Sequence, residues 1–135
     1  MEEKNTVAIY IRVGREDNKR VKEQERQLKA YCKTKNYSIY DIYIDNGFSG
    51  KKLDRPSFSR MMGDFWDKKF NKVLVFELAS LSRDITELSW RLNLFKNKDV
   101  ELESLKDNIC SSSAMGKAFI SILSLISEVC GENAF

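Results

Sequence analysis

The sequence predicts an α/β fold, an open and mostly parallel sheet of about four to five strands flanked by helices. Short runs of β-branched and aromatic residues alternate along the chain with longer segments whose apolar residues recur at helical spacing. The run at 72–78, "KVLVFEL", is apolar almost throughout, which is typical of a strand in the middle of a parallel sheet. With 135 residues, no internal repeat and no linker, the chain is expected to form a single domain, 1–135.

The first half of the chain contains two predicted strands and one predicted helix. The run "TVAIYIRV" predicts a strand over 6–13, and the turn signal Gly14 ends it. A polar segment with a weak apolar stripe predicts a helix over 16–36. The alternating "SIYDIYI" predicts a strand over 38–44, and the Gly- and Pro-containing segment 45–56 is typical of a loop.

The second half continues the alternation and ends in a helix. Two amphipathic helices are predicted over 57–69 and 82–98, with Phe58, Met61, Met62 and Phe65 on the core face of the first and Ile85, Leu88, Leu92 and Phe95 on that of the second. The strand at 72–78 lies between them, a fourth strand is predicted over 100–106, and the last helix over 117–130. The segment between the fourth strand and the last helix is expected to be a loop.

The last helix is apolar nearly all round. Its main stripe consists of Phe119, Ile122, Leu123, Ile126 and Val129, while Ile120 and Leu125 lie outside that stripe. Such a helix needs more cover than one sheet face provides. We therefore favour packing against a second subunit over complete burial in the chain's own core.

Composition excludes several classes of protein. Apolar residues make up 42% and charged residues 32% of the chain, as in ordinary soluble globular proteins. The longest apolar run is too short to span a membrane, and the amino terminus lacks the pattern of a signal peptide. Three cysteines without C-x-x-C spacing and the absence of histidine argue against a metal site. We expect reduced cysteines, a cytoplasmic location and no membrane partner.

Three arginines stand near the predicted mouth of the sheet. Arg12 is near the end of the first strand, Arg83 follows the central strand, and Arg55 is in a loop. Ligands of open parallel sheets bind beyond the carboxyl ends of the strands, and guanidinium groups bind phosphate with two hydrogen bonds. Pairing with neighbouring carboxylates is an alternative for Arg55 and Arg83. That alternative is weak for Arg12, because its apolar neighbours would bury it.

Four linked motifs resemble a known family. The segments "YIRVGRED", "YIDNGFSGKKLDRPSF", "VLVFELASLSRD" and "NICSSSAMGKAFISILSLISE" together look like the catalytic domain of serine recombinases, the resolvase/invertase group. In particular they resemble the large subclass that acts in phage and conjugative-transposon integration. The resemblance covers essentially the whole chain in the family's order, and the DNA-binding region that follows in the family is expected to be absent here.

The resemblance implies phosphoryl transfer on DNA without a metal or other cofactor. In the family a serine hydroxyl attacks the scissile phosphate and forms a phosphoserine link. By resemblance, Arg12, Arg55 and Arg83 bind phosphate and stabilise the transition state. The other positions that match family sites are supporting polar residues (Gln24, Asp45), the loop beside the active site (Ser111, Ser112, Ser113, Met115) and an acidic residue in subunit contacts (Glu128).

Three positions depart from the family pattern. Gly14 stands where the family has its nucleophilic serine. Ala79 replaces an often acidic residue, and Ser80 replaces an arginine that assists the leaving group. Ser80 is a poor candidate for a relocated nucleophile, because its match is to that arginine. Gly14 is either an introduced change or a natural loss, and the departures at positions 79 and 80 favour natural loss.

Two functions remain open from the sequence. The first is a site-specific DNA recombinase domain that is inactive here because of Gly14. The second is a non-catalytic member that dimerises and modulates an active partner. A third, a phosphate-sensing α/β domain, would need an acidic pocket or a Gly-rich phosphate loop, and the sequence has neither.

The expected partners are DNA and further copies of the chain. With 23 basic and 20 acidic residues, the net charge of +3 predicts only weak DNA binding by this domain alone. We expect a homodimer, and a tetramer on DNA for the full-length protein. The residues expected in the subunit interface are Phe119, Ile122, Leu123, Ile126 and Glu128.

Overall fold

The computed structural model describes residues 5–48, 55–82 and 84–133, and its centre is a five-stranded sheet. The strands are β1 (Thr6–Val13), β2 (Ser38–Asn46), β3 (Lys72–Val75), β4 (Glu101–Ser104) and β5 (Ile109–Cys110). Their order across the sheet is β2-β1-β3-β4-β5. The pairs from β2 to β4 are parallel, and β5 is antiparallel to β4. The predicted α/β class with a mostly parallel sheet is confirmed.

Four helices are present among the described residues: α1 (Asn18–Lys35), α2 (Pro56–Trp66), α3 (Ile85–Asn97) and α4 (Ala114–Asn133). Helix α1 packs on one face of the sheet, where its Leu28 and Cys32 meet the side chains of Val7, Ile9 and Ile11. Helices α2, α3 and α4 cover the other face. Strand β1 is buried from Val7 onward because helices lie on both of its sides.

The alternation of β1 places its residues in two separate cores. Val7, Ile9 and Ile11 face α1, whereas Ala8 and Tyr10 face the layer of three helices. Successive side chains of a strand point to opposite faces, so Arg12 continues the row of Ala8 and Tyr10. Arg12 therefore extends beyond the core on the face that α2 and α3 cover.

Two predicted strands are shorter in the structure. Strand β3 ends at Val75 instead of 78, and a 3₁₀ turn over Leu78–Ser80 follows it. Strand β4 ends at Ser104 instead of 106. The predicted loop after it contains β5, which pairs Cys110 with Glu103. The two-residue β5 is too short to give an alternating pattern in the sequence, so periodicity could not reveal it.

Caps displace the predicted starts of the last two helices. Helix α3 begins at Ile85 instead of 82, because the Asp84 carboxylate accepts hydrogen bonds from the backbone amides of Thr86 and Glu87. Ile85 is consequently in the first turn and exposed, off the predicted core face. Helix α4 begins at Ala114 instead of 117 and extends to Asn133.

Helix α4 starts tightly against β5. The Ser113 hydroxyl accepts a hydrogen bond from the Gly116 amide at 2.9 Å and donates to the Cys110 carbonyl at 2.7 Å. A Cβ atom on Gly116 would lie 1.9 Å from that same carbonyl oxygen. Only glycine permits this approach, so Gly116 fixes where the helix leaves the sheet.

The apolar stripes of α4 differ from the predicted ones. Ile120 and Leu123 point into the chain's own core, and Phe119 packs partly against it. Leu123 is therefore not available to a partner, contrary to the expected interface, because its side chain is buried in the chain's own hydrophobic core. The exposed apolar residues of the helix are Met115, Ile122, Leu125, Ile126 and Val129. No helix in the described part of the chain is long and apolar enough to cross a membrane.

Candidate active site

The carboxyl ends of β1, β2 and β3 bring together most of the candidate residues that the structure describes. Arg12 is directly opposite Asp45 in the register of β1 and β2. The 3₁₀ turn after β3 approaches the same edge. Because the strand order reverses direction at β1 and β3, this edge is a topological switch point, where open α/β sheets bind ligands.

Arg12 is 5% exposed, and main-chain carbonyls surround its guanidinium group. Its Nε donates to the Ser80 carbonyl at 3.1 Å and its Nη1 to the Phe48 carbonyl at 3.0 Å, while Nη2 donates to the Ala79 carbonyl. These bonds satisfy the donors of a buried arginine. Ala79 and Ser80 thus contribute through their backbone, whatever side chains they carry.

Arg55 is 1% exposed and lies beside Arg12. Its Nη1 is 3.3 Å from the Ser80 carbonyl and 3.4 Å from the Tyr10 hydroxyl. Its Nη2 is 3.8 Å from Oε1 of Glu87. The Nε atom is buried and has no hydrogen-bond partner within residues 5–48, 55–82 and 84–133. Arg12 and Arg55 therefore share one carbonyl oxygen, that of Ser80, which brings the two predicted phosphate-binding arginines together.

Asp45 is buried and anchors α2. Its carboxylate accepts hydrogen bonds from the backbone amides of Ser57 at 2.9 Å and Phe58 at 3.0 Å, which are at the start of that helix. The same carboxylate accepts a hydrogen bond from the Tyr10 hydroxyl at 2.7 Å. Arg55 immediately precedes the helix, so Asp45 positions Arg55 by capping α2 from a neighbouring strand.

The Tyr10 hydroxyl is a neutral donor. Burial raises the pKa of Tyr10 far above its ordinary value, and the hydrogen bond to Asp45 acts in the same direction, outweighing the nearby Arg55. The phenol remains protonated at neutral pH, which makes it a poor nucleophile.

Gly14 is exposed at the mouth of the site. A Cβ atom placed on it would lie 3.8 Å from Nη1 of Arg12, an ordinary van der Waals distance, with no other atom of the described residues as close. Its φ angle is outside the left-handed region that disfavours side chains. A side chain at position 14 would therefore fit, and would stand beside the Arg12 guanidinium.

The remaining predicted residues are elsewhere or outside the described residues. Gln24 is buried on α1, and its Oε1 has no hydrogen-bond partner in the described part of the chain. Met115 is exposed at the start of α4, and Glu128 is exposed farther along that helix. Ser111 accepts a hydrogen bond from the Leu102 amide at 2.7 Å, which is a structural contact. Arg83 lies outside the described residues, so its role stays a prediction.

Sequence reasoning missed two charged residues on α3. The Arg91 guanidinium donates to the Leu81 carbonyl at 2.5 Å and forms an ion pair with Glu87. Its Cζ atom is 4.3 Å from the centroid of the Phe58 ring. Burial lowers the pKa of Arg91, and the neighbouring Arg55 lowers it further. The spacing of four between Glu87 and Arg91, typical of a helical ion pair, is the signal that was available.

The described residues offer no cluster suited to a metal. No group of three or more Cys, Asp or Glu side chains with ligand geometry occurs in 5–48, 55–82 and 84–133. The guanidinium groups of the site can bind an oxyanion and stabilise negative charge on it.

Comparisons with known proteins agree with this geometry. The family model "Resolvase, N terminal domain" matches residues 7–134. The crystal structure of the N-terminal catalytic domain of TP901-1 integrase superposes with a TM-score of 0.88 at 36% identity, covering 96% of this chain and 99% of that one. A resolvase family site-specific recombinase from Streptococcus pneumoniae gives a TM-score of 0.83 at 31% identity, covering 97% and 91%.

A curated relative extends beyond the region of similarity. The transposon Tn917 resolvase of Enterococcus faecalis is 26% identical over 120 residues, which is 89% of this chain and 60% of the relative. The chain thus spans well under two thirds of the length of that resolvase.

Proposed function

The chain belongs to the family of resolvase N-terminal domains, and we propose that it is a recombinase catalytic domain that binds a DNA phosphate without cleaving it. The observation that carries this proposal is the pair Arg12 and Arg55, which meet at the Ser80 carbonyl beside the open position 14. Guanidinium groups held at a sheet edge stabilise the negative charge of a phosphate oxygen.

The proposed chemistry of such a site requires a hydroxyl at position 14. A serine oxygen there would attack the phosphorus atom and form a phosphoserine bond. The bond from phosphorus to the deoxyribose O3′ would break, and the proton lost by the serine would balance the one gained by the 3′ hydroxyl. Arg12 would stabilise the charge that develops on the phosphate, since a side chain at position 14 stands beside its Nη1.

Because Gly14 has no side chain, this chain lacks the hydroxyl that the step requires. Among the described residues, the hydroxyl in hydrogen-bond contact with Arg55 is that of Tyr10, which is buried and donates to Asp45. A non-catalytic role in which the chain assembles with an active partner is the second candidate. The exposed apolar residues of α4 favour it, because they offer a surface for another subunit.

DNA as the proposed ligand also supports the proposed partners and location. The relatives in the comparisons include a transposon resolvase, a DNA-invertase and an integrase, so we expect this chain to act on DNA in the cytoplasm. We expect a homodimer through α4 and a tetramer when a full-length protein is assembled on DNA.

The substitution Gly14→Ser tests the proposal. The chain is fused to a DNA-binding module of known specificity, which raises the local concentration of a chosen DNA duplex. We expect Gly14→Ser to form a covalent protein–DNA adduct that survives detergent, while the unmodified chain forms none. Gly14→Ala is the matched control, because it adds the same Cβ atom without the hydroxyl.

Each outcome discriminates between the two candidates. An adduct with serine alone shows that one side chain separates this site from catalysis. Failure of a correctly folded Gly14→Ser variant would favour the non-catalytic partner role, with Ala79 and Ser80 as further losses. An adduct formed by the unmodified chain would refute the proposal.

A further inference from the structure

Three arginines converge on one short main-chain segment after β3. The carbonyl oxygens of residues 79–81, here called the acceptor turn, accept hydrogen bonds from Arg12 Nε at 3.1 Å, Arg55 Nη1 at 3.3 Å and Arg91 Nη1 at 2.5 Å. Peptide carbonyls are neutral, so these bonds satisfy donors without cancelling charge. The acceptor turn therefore gathers positive charge at the candidate active site.

Arg55 and Arg91 share a single carboxylate within the described residues. Oε1 of Glu87 is in contact with Nη2 of Arg91 and lies 3.8 Å from Nη2 of Arg55. Two buried or half-buried cations thus face one anion, and Arg55 Nε has no hydrogen-bond partner among the residues that the structure describes. This arrangement leaves both a charge and a donor for a further anion to satisfy.

The ring of Phe58 holds the two guanidinium groups in place. The Cζ atoms of Arg55 and Arg91 are 4.5 Å and 4.3 Å from its centroid, within the range of cation–π contacts. Like charges repel, so placing two guanidinium groups at one ring costs free energy when no anion lies between them. An anion bound between them would remove that cost, because it would face both groups.

We propose that Arg91 is a third phosphate-binding arginine of the site, and that the Glu87 carboxylate occupies the place a DNA phosphate oxygen takes between Arg55 and Arg91. The inference rests on the proposed function, since it names a further ligand of the same phosphate. When DNA binds, Arg91 exchanges its ion pair with Glu87 for a contact with a phosphate oxygen. A planar guanidinium group can form two hydrogen bonds with either a carboxylate or a phosphate.

The test measures binding of a short fluorescent DNA duplex over a range of salt concentrations. We expect Arg91→Gln to weaken binding and to reduce the slope of log affinity against log salt by about 0.9, the value of one lost phosphate contact. Arg60→Gln is the matched control, because Arg60 is also a helical arginine with a carboxylate partner (Asp41, 3.8 Å) and an aromatic ring (Tyr43, 4.8 Å). It should leave the slope unchanged.

The variant Glu87→Gln is expected to change DNA binding in the direction opposite to that of Arg91→Gln. If the carboxylate competes with phosphate, its removal should tighten DNA binding severalfold and steepen the salt slope. Glu23→Gln, which removes a carboxylate from another helical ion pair, that with Arg26, should change affinity much less. A purely structural Glu87–Arg91 pair would give no tightening, and that result would overturn the inference.

Two further variants separate the possible failures. Arg91→Lys keeps the positive charge but loses the paired N–H donors of the guanidinium group, so we expect weaker DNA binding with a nearly normal salt slope. The same variant replaces Arg91→Gln in the test if Arg91→Gln does not fold. Arg12→Gln tests the proposed function itself. A lower slope for Arg12→Gln with no change for folded Arg91→Gln would refute only the role of Arg91. No change for either folded variant would refute the phosphate site as a whole.

Discussion

At the residue scale, Lys72 shows how the fold accommodates a buried charge far from the candidate site. Its ammonium group, at the start of β3, lies 2.7 Å from Glu103 Oε1, 3.0 Å from Glu101 Oε2 and 3.1 Å from the Tyr37 hydroxyl. Tyr31 and Tyr37 also donate to Glu103. Every member of this cluster therefore has partners, as a buried polar network requires.

The cluster makes stability depend on pH in a defined direction. Burial opposes ionisation of Glu103, but hydrogen bonds from Lys72, Tyr31 and Tyr37 lower its pKa overall. A carboxyl whose pKa is lower in the folded state stabilises the fold above its unfolded pKa of about 4.3 and loses that contribution as pH falls. We expect Glu103→Gln to lower the free energy of unfolding at pH 7 by on the order of 3 kcal/mol.

The measurement is urea unfolding at several pH values. The loss of stability that the unmodified chain shows on acidification below about pH 4.3 should be smaller in Glu103→Gln. Glu25→Gln, which removes a carboxylate from the more exposed pair with Lys29, is the control. An acid profile in Glu103→Gln identical to that of the unmodified chain would contradict this account.

Single residues also show what could be predicted from the sequence at the site. Arg12 was recognisable because a charged residue stands in an apolar strand, near its carboxyl end. Its acceptors were not, because they are main-chain carbonyls of the acceptor turn and of Phe48, which the tertiary path of the chain brings close. Asp45 was expected beside the site. Its capping of α2 was not, because that role depends on a contact between two elements that are separate in sequence.

At the element scale, α4 presents the clearest unsatisfied surface. Met115, Ile122, Leu125, Ile126 and Val129 recur at spacings of three, four and seven and are 40–85% exposed. This is the pattern of a helix that packs along another helix. Glu128 is roughly 120° around the helix from Ile122, so it would lie at the margin of such a contact.

We expect a second copy of the chain to cover this stripe. Ile122→Glu combined with Ile126→Glu should convert a dimer into a monomer, because charged side chains would have to be buried in the contact. Sedimentation equilibrium measures the change. Lys117→Glu is the control, since Lys117 is exposed on the same helix, roughly 140° around it from Ile122.

Two results would count against a dimer through α4. The unmodified chain could sediment as a monomer at high concentration, or the double variant could remain a dimer with unchanged affinity. Either result would require another surface for association.

Helix α4 also shows why the buried face of a helix could not be predicted from its sequence. The faces of α4 differ from the predicted stripe, because the two residues placed outside it have different surroundings: Ile120 is buried in the core and Leu125 is exposed. When a helix is apolar on most sides, its sequence cannot identify the side that faces the sheet. The tight start at Gly116 decides this, and its contact with Cys110 belongs to the three-dimensional structure.

At the scale of the whole molecule, charge limits what the chain can do alone on DNA. The net charge of +3 is small, and the arginines of the candidate site are largely buried. We expect the chain to bind duplex DNA more weakly than about 1 µM at physiological salt, with equal affinity for duplexes of unrelated sequence. Fluorescence anisotropy with two such duplexes measures this. Nanomolar binding with a preference for one duplex would contradict the expectation.

The outline of the fold and the position of the site were predictable because both follow from strand order. A run of parallel strands places its ligand at the carboxyl edge, and the reversal at β1 and β3 selects one part of that edge. The proposed contributions of Glu87 and Arg91 were not predicted, because α3 reaches the site through tertiary contacts: Arg91 packs on Phe58 and donates to the Leu81 carbonyl, and Glu87 faces Arg55.

The open space at Gly14 has a consequence for how such a chain changes over generations. Among the residues that the structure describes, a Cβ atom at this position would come within 4 Å of Arg12 alone, at 3.8 Å. Glycine and serine codons can differ by a single base, so one mutation can add a hydroxyl here without a steric clash with those residues. A change between the two residues would therefore alter the chemistry proposed for the site while leaving the described packing around it in place.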